Sequence, residues 1–221
     1  MAKFRTKARA IELLGKGQIA DLPTAITELW KNGYDAYGDN LEAHLFFSGY
    51  KDTKTPFFVL SDDGIGMSEY DLLEKWIVIG TDSKTRKTIP TKPCSETLYK
   101  EPRLQTGEKG IGRLSVAYLG SQMLMLTKKI GEPIQVLFLD WRILENYHLF
   151  IDDIEIPILP INKATDFKSS LKNLLKIYQS NFPIDDKDKR IDKWSEQTSL
   201  MESILGELEK IDVPDFFENE A

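Results

Sequence analysis

Cysteine is almost missing from this chain: among 221 residues Cys94 is the only one. That excludes a disulfide framework and a structural zinc site built on cysteine pairs, and it fits a reducing, cytoplasmic setting. Histidine is nearly as scarce. His44 and His148 have no cysteine or acid at ligand spacing, so both read as structural. Long hydrophobic runs are lacking too, and none reaches the roughly 20 residues that span a bilayer. The start of the chain carries Lys3, Arg5, Lys7 and Arg9 without the apolar stretch of a signal peptide, so a soluble intracellular protein with no membrane partner is expected. Basic residues are outnumbered, 29 against 35, for a formal charge of -6, which argues against nucleic-acid binding by this domain alone. Internal repeats and low-complexity tracts are absent.

What is present is an ordinary globular composition, 41% hydrophobic and 29% charged, enough for one good core and a small second element. The central stretch is residues 22–39. At about 100° per residue, a helix here sets Thr24, Glu28, Asn32 and Asp35 in one polar stripe and Ile26, Leu29, Trp30, Gly33 and Tyr37 on the other side. An exposed helix face usually mixes long charged side chains. This one holds a carboxylate and a carboxamide one turn apart, an arrangement suited to holding a metal ion and activating a nearby water. Trp30 and Trp76, at apolar helical positions, read as core residues.

Residues 4–14 read as a short helix ending near Gly15 and Gly17. Asp21, Leu22 and Pro23 start the central helix, since first-turn amides lack intrahelical partners and tolerate proline, and the quartet from Tyr37 to Asn40 ends it. Residues 43–48 and 56–61 read as an antiparallel strand pair. Ser68, with Asp71 three residues on, caps a helix carrying Leu72, Leu73, Trp76 and Ile77. Periodicity then disappears over 80–107, as in a long functional loop or lid. It returns as a helix over 112–119 and strands over 123–127 and 134–141. Pro157 and Pro160 mark a boundary, beyond which 163–180 and 194–211 have helical spacing.

Two glycine-rich segments accompany the central helix. Ser61-Asp62-Asp63-Gly64-Ile65-Gly66-Met67 follows a strand, and its glycines would let backbone approach a flat ligand. Taken alone, an Asp-Gly turn leading into a capped helix explains the same residues. Gly107-Glu108-Lys109-Gly110-Ile111-Gly112-Arg113 precedes a helix. Freed amides and a helix N-terminus there suit a polyphosphate; a lid hinge is the equal alternative, and neither the P-loop pattern nor a full dinucleotide fingerprint is present. Lys84 and Lys109 are candidates to meet phosphate charge, or are simply solvated.

Taken together and in order, Glu28-Leu29-Trp30-Lys31-Asn32-Gly33-Tyr34-Asp35-Ala36, Asp62-Asp63-Gly64-Ile65-Gly66 and Gly107-Glu108-Lys109-Gly110-Ile111-Gly112 resemble the N-box and the two glycine boxes of the GHKL ATPase superfamily. That superfamily groups type II topoisomerase ATPase subunits, the ninety-kilodalton heat-shock chaperones, sensor histidine kinases and MutL-type repair proteins. The resemblance implies the Bergerat fold, a two-layer α/β sandwich with a mixed, mainly antiparallel sheet and helices on one face. It would occupy residues 1–158, with a lid at about 80–111 and a helical extension over 159–221. ATP is implied as substrate and Mg²⁺ as cofactor. Glu28 would be catalytic, orienting and polarising the water that attacks the γ-phosphate, and Asn32 would give its amide oxygen to Mg²⁺. Asp62 would accept a hydrogen bond from the adenine amino group, with Gly64, Gly66 and Met67 beside it. Gly107, Lys109, Gly110, Ile111 and Gly112, with Lys84, would meet the phosphates. Asp35 would hydrogen-bond within the site or tie the helix to the first glycine segment.

Glu28 in front of Asn32 looks more like the chaperone, gyrase and MutL branch than the histidine kinases. Gly80-Thr81-Asp82-Ser83-Lys84 resembles the lid start of MutL and MORC-like proteins. The expectation is slow Mg²⁺-dependent hydrolysis of ATP to ADP, coupled to lid closure and to an ATP-dependent homodimer. Two other readings stay open: a nucleotide-gated interaction module with little hydrolysis, and a kinase passing phosphate to a histidine. Several branches supply a Lys or Arg to the γ-phosphate from a following domain, for which the roughly 60 residues after Pro160 are too few. Either the chain is part of a longer protein or that role is missing. The client is not legible, because fold and ATP site do not fix it.

Overall fold

A computed structural model describes residues 4–16, 19–79, 90–106 and 112–211. Helix α1 (Ala8–Lys16) precedes helix α2 (Leu22–Asp35). The start of α2 follows from local rules: Asp21 caps it by accepting from the Thr24 amide at 2.8 Å, and Pro23 stands in the first turn. Its end is less ordinary. The Gly38 amide reaches back to the Gly33 carbonyl at 2.9 Å and the Tyr37 amide to that of Tyr34 at 3.0 Å, the paired bonds of a Schellman ending. Such an ending needs a left-handed residue, and here it is Tyr37, at φ +66°, rather than the neighbouring glycine. That conformation costs a non-glycine residue roughly 1–2 kcal/mol, so the surroundings must hold it.

Strands β1 (Leu41–Phe46) and β2 (Phe57–Asp62) pair antiparallel, with Leu41 opposite Asp62 and Phe46 opposite Phe57. Alternation puts Leu41 and Asp62 on one face, which meets α2 at Gly33. A β-carbon on Gly33 would lie 2.5 Å from Leu41 Cδ2 and 3.0 Å from Asp62 Cβ. Only glycine lets helix and strand pair approach this closely.

Ser68 and Asp71 form the expected capping box, but the helix they cap, α3 (Glu69–Asp71), is a single turn. The expected continuation over Leu72–Trp76 is wound as a π-turn, closed by the Ile77 amide on the Leu72 carbonyl at 3.0 Å. Its last carbonyls, on Lys75 and Trp76, accept from the half-buried Arg113. A cation thus satisfies the C-terminal end of the wider turn. The helix expected over 112–119 is a 3-10 turn, Gly112–Ser115, followed by α4 (Val116–Leu119).

The main core lies in the second half of the chain. Strands β3 (Gln122–Lys128), β4 (Ile134–Asp140) and β5 (Ile158–Ile161) form an antiparallel sheet with β4 in the middle. Helix α5 (Phe167–Gln179) covers β4 with Phe167, Leu171, Leu174 and Tyr178. Tyr178 stands edge-on to Phe138, ring centroids 5.1 Å apart. Burying each such side chain contributes roughly 1.5–3 kcal/mol. Helices α6 (Ile191–Trp194) and α7 (Thr198–Leu208) complete the cluster with Trp194, Ile204 and Leu208.

Among the described residues this is the expected α/β sandwich, with seven α-helices and two antiparallel sheets. The boundary expected after residue 158 falls inside β5, and the core is continuous across it. Pro160 stands opposite Gln135 in this edge strand, where proline is tolerated because one side has no ladder to serve. Trp30 departs from expectation: it is 38% exposed rather than part of the core. The buried arc of α2 runs from Ala25 through Gly33 to Tyr37, and at about 100° per residue Trp30 falls past its edge, beside Thr27 and Tyr34. Trp76 packs against the main core as expected. No described helix is long and apolar enough to cross a membrane.

Candidate active site

Helix α2 is the spine of the site. At about 100° per residue, Gly33 and Ala36 face one side of it, Glu28 and Asp35 another, and Asn32 falls between them. On the first side lies the segment after β2. The Asp62 carboxylate turns one oxygen to the Gly64 amide at 3.0 Å, and among the described residues its second oxygen has no partner. Gly64 is pressed against α2: a β-carbon there would meet the Ala36 methyl at 2.8 Å, while the Ile65 amide donates to the Ala36 carbonyl at 2.8 Å. Gly66, at φ +66°, faces the other way. A β-carbon on it would fall 2.0 Å from the Lys128 carbonyl oxygen, and the Met67 amide donates to Thr127 Oγ1 at 2.9 Å. Gly66 and Met67 are therefore held by β3, and the whole first glycine segment is clamped between helix and sheet.

Asp63, to which the sequence pattern gives the lesser part, is the clasp of this turn. It accepts from the Asp39 amide at 2.7 Å, the Asn40 amide at 2.9 Å and Asn40 Nδ2 at 2.7 Å. These bonds, those of Asn40 foremost, hold its carboxyl down to about 2. An unfolded aspartate titrates at about 3.9, so the clasp contributes fully above that value and is lost as pH falls toward the folded one. Thermal melting between pH 5 and pH 2 is expected to decline less steeply in Asp63→Asn than in the wild type. Parallel curves would dismiss the clasp.

On the other side, Glu28 points Oε1 at Lys31 Nζ, 2.7 Å away. Its Oε2 faces Gly112, where a β-carbon would come within 3.2 Å. One face lower, Asp35 Oδ1 accepts from the Thr106 amide at 2.8 Å and the Thr106 hydroxyl at 3.0 Å. The residues flanking positions 107–111 thus both rest on the stripe that carries Glu28 and Asp35, with Asn32 between. Lys84, Gly107, Lys109, Gly110 and Ile111 lie outside the described residues.

Sequence reasoning missed the residues that lead into this flank. Lys100 Nζ donates to the Tyr37 carbonyl and pairs with Asp39 Oδ2, both at 2.7 Å. Arg103 pairs with Asp39 Oδ1 at 2.6 Å, donates to the Gly38 carbonyl at 2.8 Å and lies 4.8 Å from the centre of the Tyr34 ring. Two cations therefore meet the exposed carbonyls where the dipole of α2 is negative, and they hold the left-handed Tyr37 in place. The bonds from Lys100 and then Arg103 lower the pKa of Asp39. No periodicity joins these residues to α2, and no local pattern in the sequence marks them.

Two cavities flank rather than fill the site. The larger, about 350 Å³, lies between Ile11, Leu114, Tyr118 and Trp141 and contains no candidate residue. A smaller one of about 270 Å³ is lined by Thr27, Trp30, Lys31, Tyr34, Leu41 and Thr106. The glycine segment that would wall the phosphate side lies outside the described residues, so the convergence of side chains on α2 defines the site better than either cavity. No group of three His, Cys, Asp or Glu among the described residues could hold a metal. Mg²⁺ needs only one or two protein oxygens beside phosphate oxygens and waters, and the amide oxygen of Asn32 suits it.

A family model described as histidine kinase-, DNA gyrase B-, and HSP90-like ATPase matches residues 20–172. That span takes in α2, both glycine segments and both sheets. No curated protein matches the chain. With well over half of its length matched, in a span that carries the helix on which the geometry converges, the chain belongs to the histidine kinase-, DNA gyrase B- and HSP90-like ATPases, a family of ATP-binding domains.

Proposed function

We propose that the chain binds ATP with Mg²⁺ along α2 and hydrolyses it slowly to ADP and phosphate. One observation carries this reading: α2 holds the first glycine segment against Gly33 and Ala36 and the flanks of the second against Glu28 and Asp35, with Asn32 between. The open oxygen of Asp62 accepts the adenine amino hydrogen, while its other oxygen is fixed by Gly64. Asn32 lends its amide oxygen to Mg²⁺, which when bound neutralises the phosphate charge. Glu28 Oε2 takes a proton from a water as the water oxygen bonds to the γ-phosphorus. The bond from that phosphorus to the bridging oxygen breaks, and ADP leaves with the electron pair. Family resemblance adds closure of the lid and pairing of two domains in the ATP state.

Titration with MgATP is expected to give one site per chain, and Asp62→Asn to weaken it at least tenfold, because the new amide opposes a donor with a donor. Light scattering with a non-hydrolysable ATP analogue is expected to show twice the chain mass. Unchanged affinity in Asp62→Asn sinks the base assignment; a mass that stays monomeric sinks the pairing. One contact favours a second reading, a nucleotide-gated module with little hydrolysis. Lys31 already occupies one Glu28 oxygen at 2.7 Å, and a base so engaged is slower to serve water.

A further inference from the structure

We infer that Arg103 and Lys100 are positioning residues for the adenine side of the site: through Asp39 they hold the turn that presents Asp62. This rests on the ATP-site reading above. Residues 36–40, the exit of α2, lie between two sets of partners. On one side stands the first glycine segment. The Ile65 amide donates to the Ala36 carbonyl at 2.8 Å, and Asp63 accepts from the amides of Asp39 and Asn40 at 2.7 and 2.9 Å. A β-carbon on Gly38 would lie 3.3 Å from Asp63 Oδ1 and 3.4 Å from the Gly64 nitrogen, so the two turns are in close contact. On the other side stand the cations. Lys100 Nζ meets the Tyr37 carbonyl and Asp39 Oδ2, both at 2.7 Å. Arg103 meets Asp39 Oδ1 at 2.6 Å and the carbonyls of Gly38 and Tyr34 at 2.8 and 3.3 Å. Asp39 is thus held by its carboxylate from one side, through charge-assisted bonds, and by its amide from the other. The left-handed Tyr37 gives these contacts their consequence. A non-glycine residue at φ +66° is strained and relaxes once its support is removed, and that rotation would carry 38–40 away from Asp63. Arg103 is poorly replaced by water: its side chain is only 20% exposed, and its guanidinium lies 4.8 and 5.6 Å from the centres of the Tyr34 and Tyr37 rings. Asp62 follows the same turn, because its carboxylate is fixed by the Gly64 amide and Gly64 is pressed on Ala36.

Titration of Arg103→Met with MgATP and MgGTP, beside steady-state hydrolysis, tests the link. The wild type is expected to prefer ATP, because guanine turns an oxygen rather than an amino group toward Asp62. In Arg103→Met that preference should shrink about fivefold, with KM for ATP rising while kcat stays within about twofold, since Glu28 lies about two turns back along α2. Arg103→Lys should recover part of the loss, because it keeps the charge beside Asp39 but not the fork that spans the carbonyls. Arg103 and Asp63 share no hydrogen bond or ion pair, so independent sites would multiply their losses; coupling through Asp39 predicts that Arg103→Met with Asp63→Asn loses less than the product. An unchanged ATP preference in Arg103→Met, or losses that multiply, overturns the inference. A nucleotide-free arm separates it from the parent reading: hydrogen exchange at the Asp39 and Asn40 amides is expected to be slow in the wild type and about tenfold faster in Arg103→Met. If the wild type binds no ATP, the parent reading falls while exchange still decides whether the cations hold the turn. Exchange that Arg103→Met leaves unmoved refutes the inference itself.

Discussion

Glu28→Gln is expected to lower the rate of ATP hydrolysis at least a hundredfold while ATP affinity stays within about threefold. Removing a general base typically loses two to four orders of magnitude, and glutamine keeps the shape of the side chain while surrendering its basicity. The protein itself should tolerate the change. The ion pair lost with Lys31 is only partly buried, with the two side chains 40% and 30% exposed, and such pairs contribute roughly 0–1 kcal/mol. Binding should be spared because, in the proposed mechanism, the Glu28 oxygen near Gly112 serves the water rather than the adenine or the metal. Four results separate the readings. Binding that survives with hydrolysis gone supports the ATPase. A wild type that binds but does not turn over supports the gated module, and hydrolysis undiminished in Glu28→Gln removes Glu28 from the chemistry. A stable labelled phosphoprotein after incubation with radioactive ATP would instead favour phosphotransfer to a histidine.

The parts of this molecule legible from sequence are those fixed within a few residues. Asp21 and Pro23 announce the start of α2, Ser68 and Asp71 their capping box, and the alternation in β1, β2, β3 and β4 their pairing. Glu28, Asn32 and Asp62 stand out for another reason, since their spacing around glycines resembles a known pattern. What escaped was set by distant partners. Local preference assigns the left-handed position at the end of α2 to Gly38, yet Tyr37 adopts it, held by Lys100 and Arg103 from more than sixty positions away. Gly66 reads as room for a ligand, and the backbone of Lys128 fills that room. Pro160 reads as a breaker because its tolerance depends on being at a sheet edge, which no local window contains. Trp30 reads as core because apolar spacing gives the phase of a helix but not the width of its buried arc. His44 and His148 each find a carboxylate, Glu42 at 3.1 Å and Glu196 at 3.0 Å. The first partner was only two residues away, the second came from another part of the fold.

The largest loss of stability is expected from Arg142→Ala, about 3–5 kcal/mol, the range for stranding one member of a buried ion pair. Asp140, at the end of the central strand β4, is fully buried. Its carboxylate is met by Arg142 through Nε at 2.9 Å, through Nη2 and through the main-chain amide at 3.0 Å, with Gln122 Nε2 more distant at 3.3 Å. The same guanidinium reaches Glu207 at 2.9 Å and Ser203 Oγ at 3.1 Å on α7. Truncation therefore strands a buried charge and unfastens a helix from the sheet. The side chain of Arg142 is only 16% exposed, so water does little to replace it. For a chain of this size each kcal/mol moves the melting midpoint by about 2–4 °C, and a fall of roughly 6–20 °C is expected. Arg142→Lys should recover only part of it, because an ammonium cannot reproduce the planar fork. The pair Asp140→Asn with Arg142→Met should melt above Arg142→Ala, since no unpaired charge then remains inside. A midpoint within 2 °C of the wild type in Arg142→Ala would refute the assignment. The affinity for ATP below the transition should be unmoved in all of these variants, because the hydrogen bonds and ion pairs of Arg142 join β4 to α7 rather than to α2.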